Sequence, residues 1–230
     1  MKQSKLLLAE FIGALMLAGV VIGSGVLALE LSGGNLAIAL LGNTVATGAI
    51  LWVLVAILAP ISGAHLNPAV TLAFFLRGEM SVETSMRYVA VQIAGCVVGA
   101  VLAHAMFELP LLQIAQTERS GLSQMLSEGV ATFALVFAIL GALKHAPKAL
   151  PAAVSLAIVA GYWWTASTSF ANPAISMARA LSDTFVGVRP ADLPGFVFAQ
   201  CLGAALATGV AVILFPKDKE PTKAGDEKSI

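Results

Sequence analysis

The chain has 230 residues, 58% of them hydrophobic and only 11% charged, with 13 basic residues balancing 13 acidic ones. A soluble domain carries about 25% charged residues, so this composition and a mean hydropathy of +0.90 exclude an ordinary soluble fold and describe a polytopic membrane protein. Zero net charge argues against a nucleic-acid partner. The two cysteines, Cys96 and Cys201, lie in apolar runs without metal-ligand spacing, and read as small packers that imply neither a metal nor a disulfide.

About 20 apolar residues cross a hydrocarbon core, and the chain divides on that scale. Lys2 and Lys5 ahead of an apolar run imitate a signal peptide, but the run is long enough to span and more spans follow, so 6–27 is read as a first transmembrane helix. A loop at 30–35 leads to a second span at 36–58. An entry loop at 60–65 and a half-length helix at 67–76 come next. The third span is 84–107, followed by a loop to 120, and the fourth is 125–143. After a basic turn at 144–148 comes a fifth span at 150–165, a second entry loop at 167–171 and a second half-helix at 172–181. A sixth span at 193–215 precedes a polar stretch, 216–230, whose composition predicts a disordered tail.

Both half-helices begin with one phrase. Ser62, Gly63, Ala64, His65 and Leu66 lead into Asn67, Pro68 and Ala69; Thr168, Ser169, Phe170 and Ala171 lead into Asn172, Pro173 and Ala174. Asn as N-cap and Pro at the first helical position form a helix start. At membrane depth such a break is tolerated only where it is buried in protein or lines a cavity. Two breaks at matching places in two halves point to a working site. If the half-helices meet end to end, the side-chain oxygens of Asn67 and Asn172 cap them and leave both amide NH2 groups free to donate into a lumen. The positive helix ends then oppose cations. The carbonyls of residues 63–65 and 169–171 would extend a polar stripe.

The halves also share a Glu in their first spans (Glu10, Glu128) and a Gln in their last (Gln92, Gln200). A carboxylate inside a span is a functional hypothesis by default. One reading makes these Glu residues ion carriers. The favoured one makes them braces that accept hydrogen bonds from the entry loops, with the Gln residues donating to loop carbonyls. His65 either lines a vestibule or braces its loop. His104 and His145 read as structural or solvated. Trp52, Trp163 and Trp164 read as interfacial anchors. Small residues at Gly19 and Gly23, Gly95 and Gly99, and Gly203 and Ala207 suit close helix packing.

Of the thirteen Lys and Arg residues, only Arg119, Arg179 and Arg189 fall opposite the termini, which predicts cytoplasmic termini. With an odd number of full spans between them, the half-helices enter from opposite faces. The expected fold is therefore an all-α membrane protein of six transmembrane helices plus two re-entrant half-helices. It forms one domain over 1–215, built as inverted repeats at about 6–107 and 123–215, with a cytoplasmic tail at 216–230.

On the residues from Ser62 to Thr71, the second Asn172-Pro173-Ala174, and the paired Glu and Gln residues, the chain resembles the aquaporin and glycerol-facilitator superfamily, the major intrinsic proteins. The resemblance implies a homotetramer with one pore per subunit, in contact with membrane lipid and without a cofactor. It implies passive flow of water or small neutral solutes and no enzyme activity. The family usually has Arg one place after the second Asn-Pro-Ala, where this chain has Ile175. Counting from the two Asn residues puts the other filter positions at Thr47, Ala160 and Ser169, so the expected filter is wide and uncharged. Arg179, one turn beyond Ile175, is expected to lie too far out to replace the missing clamp, guarding the mouth or bracing a loop. The stretch 167–174, followed by Arg179-Ala180-Leu181-Ser182-Asp183, is similar to a bacterial subgroup of metalloid channels linked with arsenic resistance. That resemblance implies glycerol-like polyols and arsenous acid as solutes and a bacterial inner-membrane location. Two alternatives stand: a channel mainly for water, and an ion-coupled secondary transporter. The absence of midplane Asp or Lys weighs against the transporter.

Overall fold

The computed structural model describes residues 2–216; the rest of the expected tail, 217–230, lies outside them. The described residues form eight α-helices: α1 (Lys2–Leu31), α2 (Leu36–Ser62), α3 (Pro68–Leu76), α4 (Val82–Met106), α5 (Leu122–His145), α6 (Leu150–Trp164), α7 (Pro173–Ala180) and α8 (Leu193–Leu214). Five are long and apolar enough to cross a bilayer: α1, α2, α4, α5 and α8, the last counted with the 3₁₀ turn before it. The remaining span, α6, has 15 residues, about 22 Å at 1.5 Å per residue. A 3₁₀ turn at Pro147–Ala149 lengthens it at one end, and its other end passes into the second entry loop.

Local chemistry sets the boundaries. Asn35 caps α2 by accepting from the N–H groups of Ala37 and Ile38, and Ser81 caps α4 through Thr84 N–H. The helix α2 continues through Pro60 to Ser62, past the expected end at residue 58. Pro60 falls in the last turn, where it forfeits one backbone bond, and Gly63 closes the helix in the left-handed conformation, at φ 91°, with its N–H on Ala59 O.

The two halves are built alike and locked together. In the first, α1 packs on α4 and α2; in the second, α5 packs on α8 and α6, and α2 joins the halves against α6. Each half-helix also packs on the last span of the other half, α3 on α8 and α7 on α4. Close approach needs glycine at equivalent places. A Cβ on Gly95 would collide with the carbonyl of Phe11, and one on Gly203 with the carbonyl of Gly129. Phe11 and Gly129 each follow the Glu of their span, and Gly95 and Gly203 each lie three residues after the Gln. One backbone contact thus brings Glu and Gln together twice. Without a strong hydrophobic drive between helices in lipid, such packing supplies much of the association energy. Large apolar side chains, Trp52, Trp163 and Trp164 among them, are exposed on the outside of the bundle. His145 is exposed too, its ring edge-on to Phe215.

Candidate pore and its polar neck

The two entry loops repeat each other residue for residue. Ala64 and Leu66 have φ of 48° and 51°, and their counterparts Ser169 and Ala171 have 53° and 48°. Thr168, at φ 61°, takes the place of Gly63. Left-handed backbone costs an L-residue about 1–2 kcal/mol, so five such non-glycine residues persist only because their surroundings hold them. Ser62 Oγ accepts from Ala64 N–H and Ser167 Oγ from Ser169 N–H. The carbonyls of Ser62 and Ser167 receive donors from outside the loop, Tyr88 O–H and Arg119 Nη1.

The main anchors are the two carboxylates, both fully buried. Glu10 accepts from His65 N–H at 3.0 Å and Leu66 N–H at 2.7 Å, and from Ser62 Oγ and Gln92 Nε2. Glu128 accepts from Phe170 N–H at 2.9 Å, Ala171 N–H at 2.8 Å and Gln200 Nε2 at 2.6 Å. Gln92 and Gln200 therefore serve the carboxylates rather than the loop carbonyls expected from sequence. Each also donates to a hydroxyl on its half-helix, Thr71 or Ser176. A carboxylate is acceptor-only, so it faces two backbone N–H groups and an amide NH2 without conflict.

The Asn side chains close the arrangement. Asn67 Oδ1 accepts from Ala69 N–H, and Asn172 Oδ1 accepts from Ala174 and Ile175 N–H. Contrary to the sequence reading, their NH2 groups are not wholly free. Asn67 Nδ2 donates to Ala171 O at 2.7 Å and Asn172 Nδ2 to Leu66 O at 2.9 Å. Each cap is thus tied to the residue just before the other, leaving one amide hydrogen apiece. The Ala171 carbonyl, expected in an open polar stripe, is already an acceptor.

A narrow cavity of about 50 Å³ runs past both Asn residues. A single water needs about 10–15 Å³ on this measure, so the space admits a few waters in file. Its walls are largely aliphatic, from Leu17, Val21, Leu51, Leu135 and Ile158 among others, and its polar groups come from the loops and α7, with Thr47 of α2 and Tyr162 of α6. A second cavity of about 140 Å³ adjoins it, sharing Val55, Ala64, His65, Val70, Ile139 and Val154. His65 stands where the two meet. Its Nδ1 is 3.2 Å from Thr71 Oγ1 and its ring stacks on Phe74 at 4.4 Å.

At the other end of the narrow cavity lie Thr47, Ser169 and Ile175, as counted from sequence, but not Ala160. Ala160 is exposed on the outer face of α6. Tyr162, two residues on, lines the cavity instead, with its hydroxyl 3.3 Å from Thr47 Oγ1. The stripe Leu150, Val154, Ile158 and Tyr162, spaced by four, marks the buried face of α6 and was legible in the sequence.

Arg179 also departs from expectation. It is only 2% exposed, lines this cavity, and donates from Nε to Val186 O. Its guanidinium carbon sits 3.3 Å from the centre of the Phe170 ring. The end of the cavity is therefore neither wide nor uncharged. Sequence reasoning also passed over Arg119. It donates to Gly187 O and Ser167 O and lies 5.1 Å from the same ring. His104, expected to be structural, bridges Leu111 O and Ser182 Oγ.

Comparison with known proteins agrees with this construction. The family model for major intrinsic proteins matches residues 1–165. The chain belongs to the major intrinsic protein family. Aquaglyceroporin AqpS of Rhizobium meliloti (strain 1021) is 52% identical over 199 residues, covering 86% of this chain and 85% of that protein. Aquaporin A of Dictyostelium discoideum is 30% identical over 200 residues, 80% of this chain and 69% of its own. The X-ray structure of the aquaglyceroporin from Plasmodium falciparum superposes with a TM-score of 0.69, covering 91% of this chain and 95% of that one. At 17% identity it speaks to fold alone. As a member of this family the protein is a membrane channel for small solutes, not an enzyme.

Proposed function

We infer that the channel passes small uncharged hydroxylated solutes, with glycerol-like polyols and arsenous acid as its cargo and water beside them. The observation that carries this reading is the cavity past Asn67 and Asn172, where two fixed amides and the positive ends of two half-helices stand opposite aliphatic walls. A neutral hydroxyl can accept a hydrogen bond from each remaining amide hydrogen, while a cation meets opposing potential. The greasy wall holds nothing tightly, so a solute that enters can leave. The name of the Rhizobium relative, aquaglyceroporin, supports polyols over water alone.

Thr47, Tyr162, Ser169, Ile175 and Arg179 form the filter at one end, and His65 lines the vestibule at the other. Residues 1–215 act as one channel domain of inverted repeats, 6–107 and 123–215. Four copies assemble in a bacterial inner membrane with both termini in the cytoplasm, the side favoured by the basic residues. A second reading, in which water is the main cargo, is favoured by the small volume of the cavity, about 50 Å³. Osmotic-shock light scattering on proteoliposomes, comparing water, glycerol, urea and arsenite in one preparation, decides between them. Solute flux well above that of empty vesicles supports the first reading; water flux alone supports the second. Saturable flux that requires a proton gradient overturns both.

A further inference from the structure

The filter end of the cavity holds a charge that no carboxylate among the described residues contacts directly. Arg179 is buried, yet among the described residues no carboxylate lies within ion-pair distance of it. Its Nη1 is buried without any hydrogen-bond partner, and so is Ser169 Oγ; both residues line the same cavity. Arg119, beside the same Phe170 ring, adds a second guanidinium whose hydrogen bonds go to backbone carbonyls only.

The nearby carboxylates are committed elsewhere. Glu128 lies within electrostatic reach of both guanidinium groups but gives its hydrogen bonds to two backbone N–H groups and Gln200. Asp192 takes Arg189 and the backbone N–H of Arg119. Glu118 takes Ser120 and Arg189, and Asp183 takes the backbone N–H of Gln116. The face of Phe170 attracts a cation but is no counter-charge. A buried charge without a direct partner is costly, and a buried donor without an acceptor costs more than one that is satisfied.

We propose that this end of the cavity is a binding site for a small monovalent oxyanion of the carboxylate type, held between Arg179 Nη1 and Ser169 Oγ. The anion supplies the direct charged acceptor that Arg179 Nη1 lacks and an acceptor for the Ser169 hydroxyl. The cavity volume limits the ligand to a few heavy atoms, as in formate. A single charge suits one direct guanidinium, since a second would be desolvated without a partner. The inference rests on the channel reading only in that the cavity opens to solution.

The test uses full-length protein in detergent and follows its thermal unfolding midpoint against sodium formate, with sodium gluconate at equal ionic strength as the bulky control. Ligand bound only by the folded state raises the midpoint with concentration. The expected result is a saturable rise in formate that gluconate does not produce. It is abolished in Arg179→Gln, and in Ser169→Ala the half-saturating concentration rises at least about tenfold, the worth of one hydrogen bond to a charged group. Each variant is read against its own formate-free midpoint. If Arg179→Gln does not fold, Ser169→Ala carries the test. An equal rise in gluconate, or a formate response unchanged in Ser169→Ala, overturns the proposal. Glycerol flux in proteoliposomes of the same protein separates the two readings. Flux without a formate response sinks the anion site alone, and a formate response without flux sinks the neutral-solute channel alone.

Discussion

Replacing Glu128 with Gln tests whether the carboxylates hold the neck together. Glu128 Oε1 serves Phe170 N–H, and Oε2 serves Ala171 N–H and Gln200 Nε2. The new NH2 must turn toward one of these oxygen positions. The cheaper choice is Oε1, which orphans one backbone N–H at about 1–3 kcal/mol. The two remaining bonds fall from charge-assisted to neutral, losing about 1 kcal/mol each. Relief from desolvating the carboxylate offsets part of this, leaving about 3 kcal/mol. For a chain of this size that lowers the melting midpoint by roughly 6–12 °C.

The first half repeats the test. Glu10 accepts four hydrogen bonds, two on each oxygen. In Glu10→Gln the new NH2 is best placed at the Oε1 position, where the Ser62 hydroxyl can turn to accept from it and only His65 N–H is orphaned, so a loss of similar size is expected. The assay is size-exclusion recovery after a temperature ramp in detergent, run beside proteoliposome flux at several pH values. A normal midpoint with proton-dependent flux in either variant would refute the bracing argument and revive the ion-carrier reading.

Three further substitutions probe packing and the filter. Gly203→Val should greatly reduce folded yield, because its side chain would run into the Gly129 backbone; normal monodisperse yield would contradict the helix contact. Ile175→Arg should cut glycerol flux more than water flux, because it adds volume and a second charge beside Arg179 in the narrow cavity; equal loss of both in light scattering would count against that filter. Tyr162→Ala should raise glycerol flux severalfold, whereas Ala160→Phe, on the outer face of α6, should leave glycerol and water flux as they are. The reverse ranking would restore the position counted from sequence.

Much of the fold was legible in the chain because its signals are local. Asn67-Pro68 and Asn172-Pro173 are helix starts by backbone chemistry alone, and the spans follow from the length of an apolar run against a fixed hydrocarbon thickness. The repeat of Glu, Asn-Pro-Ala and Gln in each half foretold that these residues would meet, since equivalent positions in two copies of one unit occupy equivalent places. The glycines three residues after each Gln belong to the same local pattern.

What the tertiary structure alone decided depends on rotation and on contacts across long separations. Ala160 and Tyr162 are two residues apart, about 200° around a helix, so a miscount of two put the outer face where the pore wall belongs. The Asn cross-bonds join loops from different halves, and no local rule says which carbonyl each amide will find. Arg179 looked like a mouth residue because sequence gives its height along α7 but not what surrounds it. The Phe170 ring and the Val186 carbonyl draw it inward, to the cavity wall, and that placement depends on how two loops from one half fold over each other.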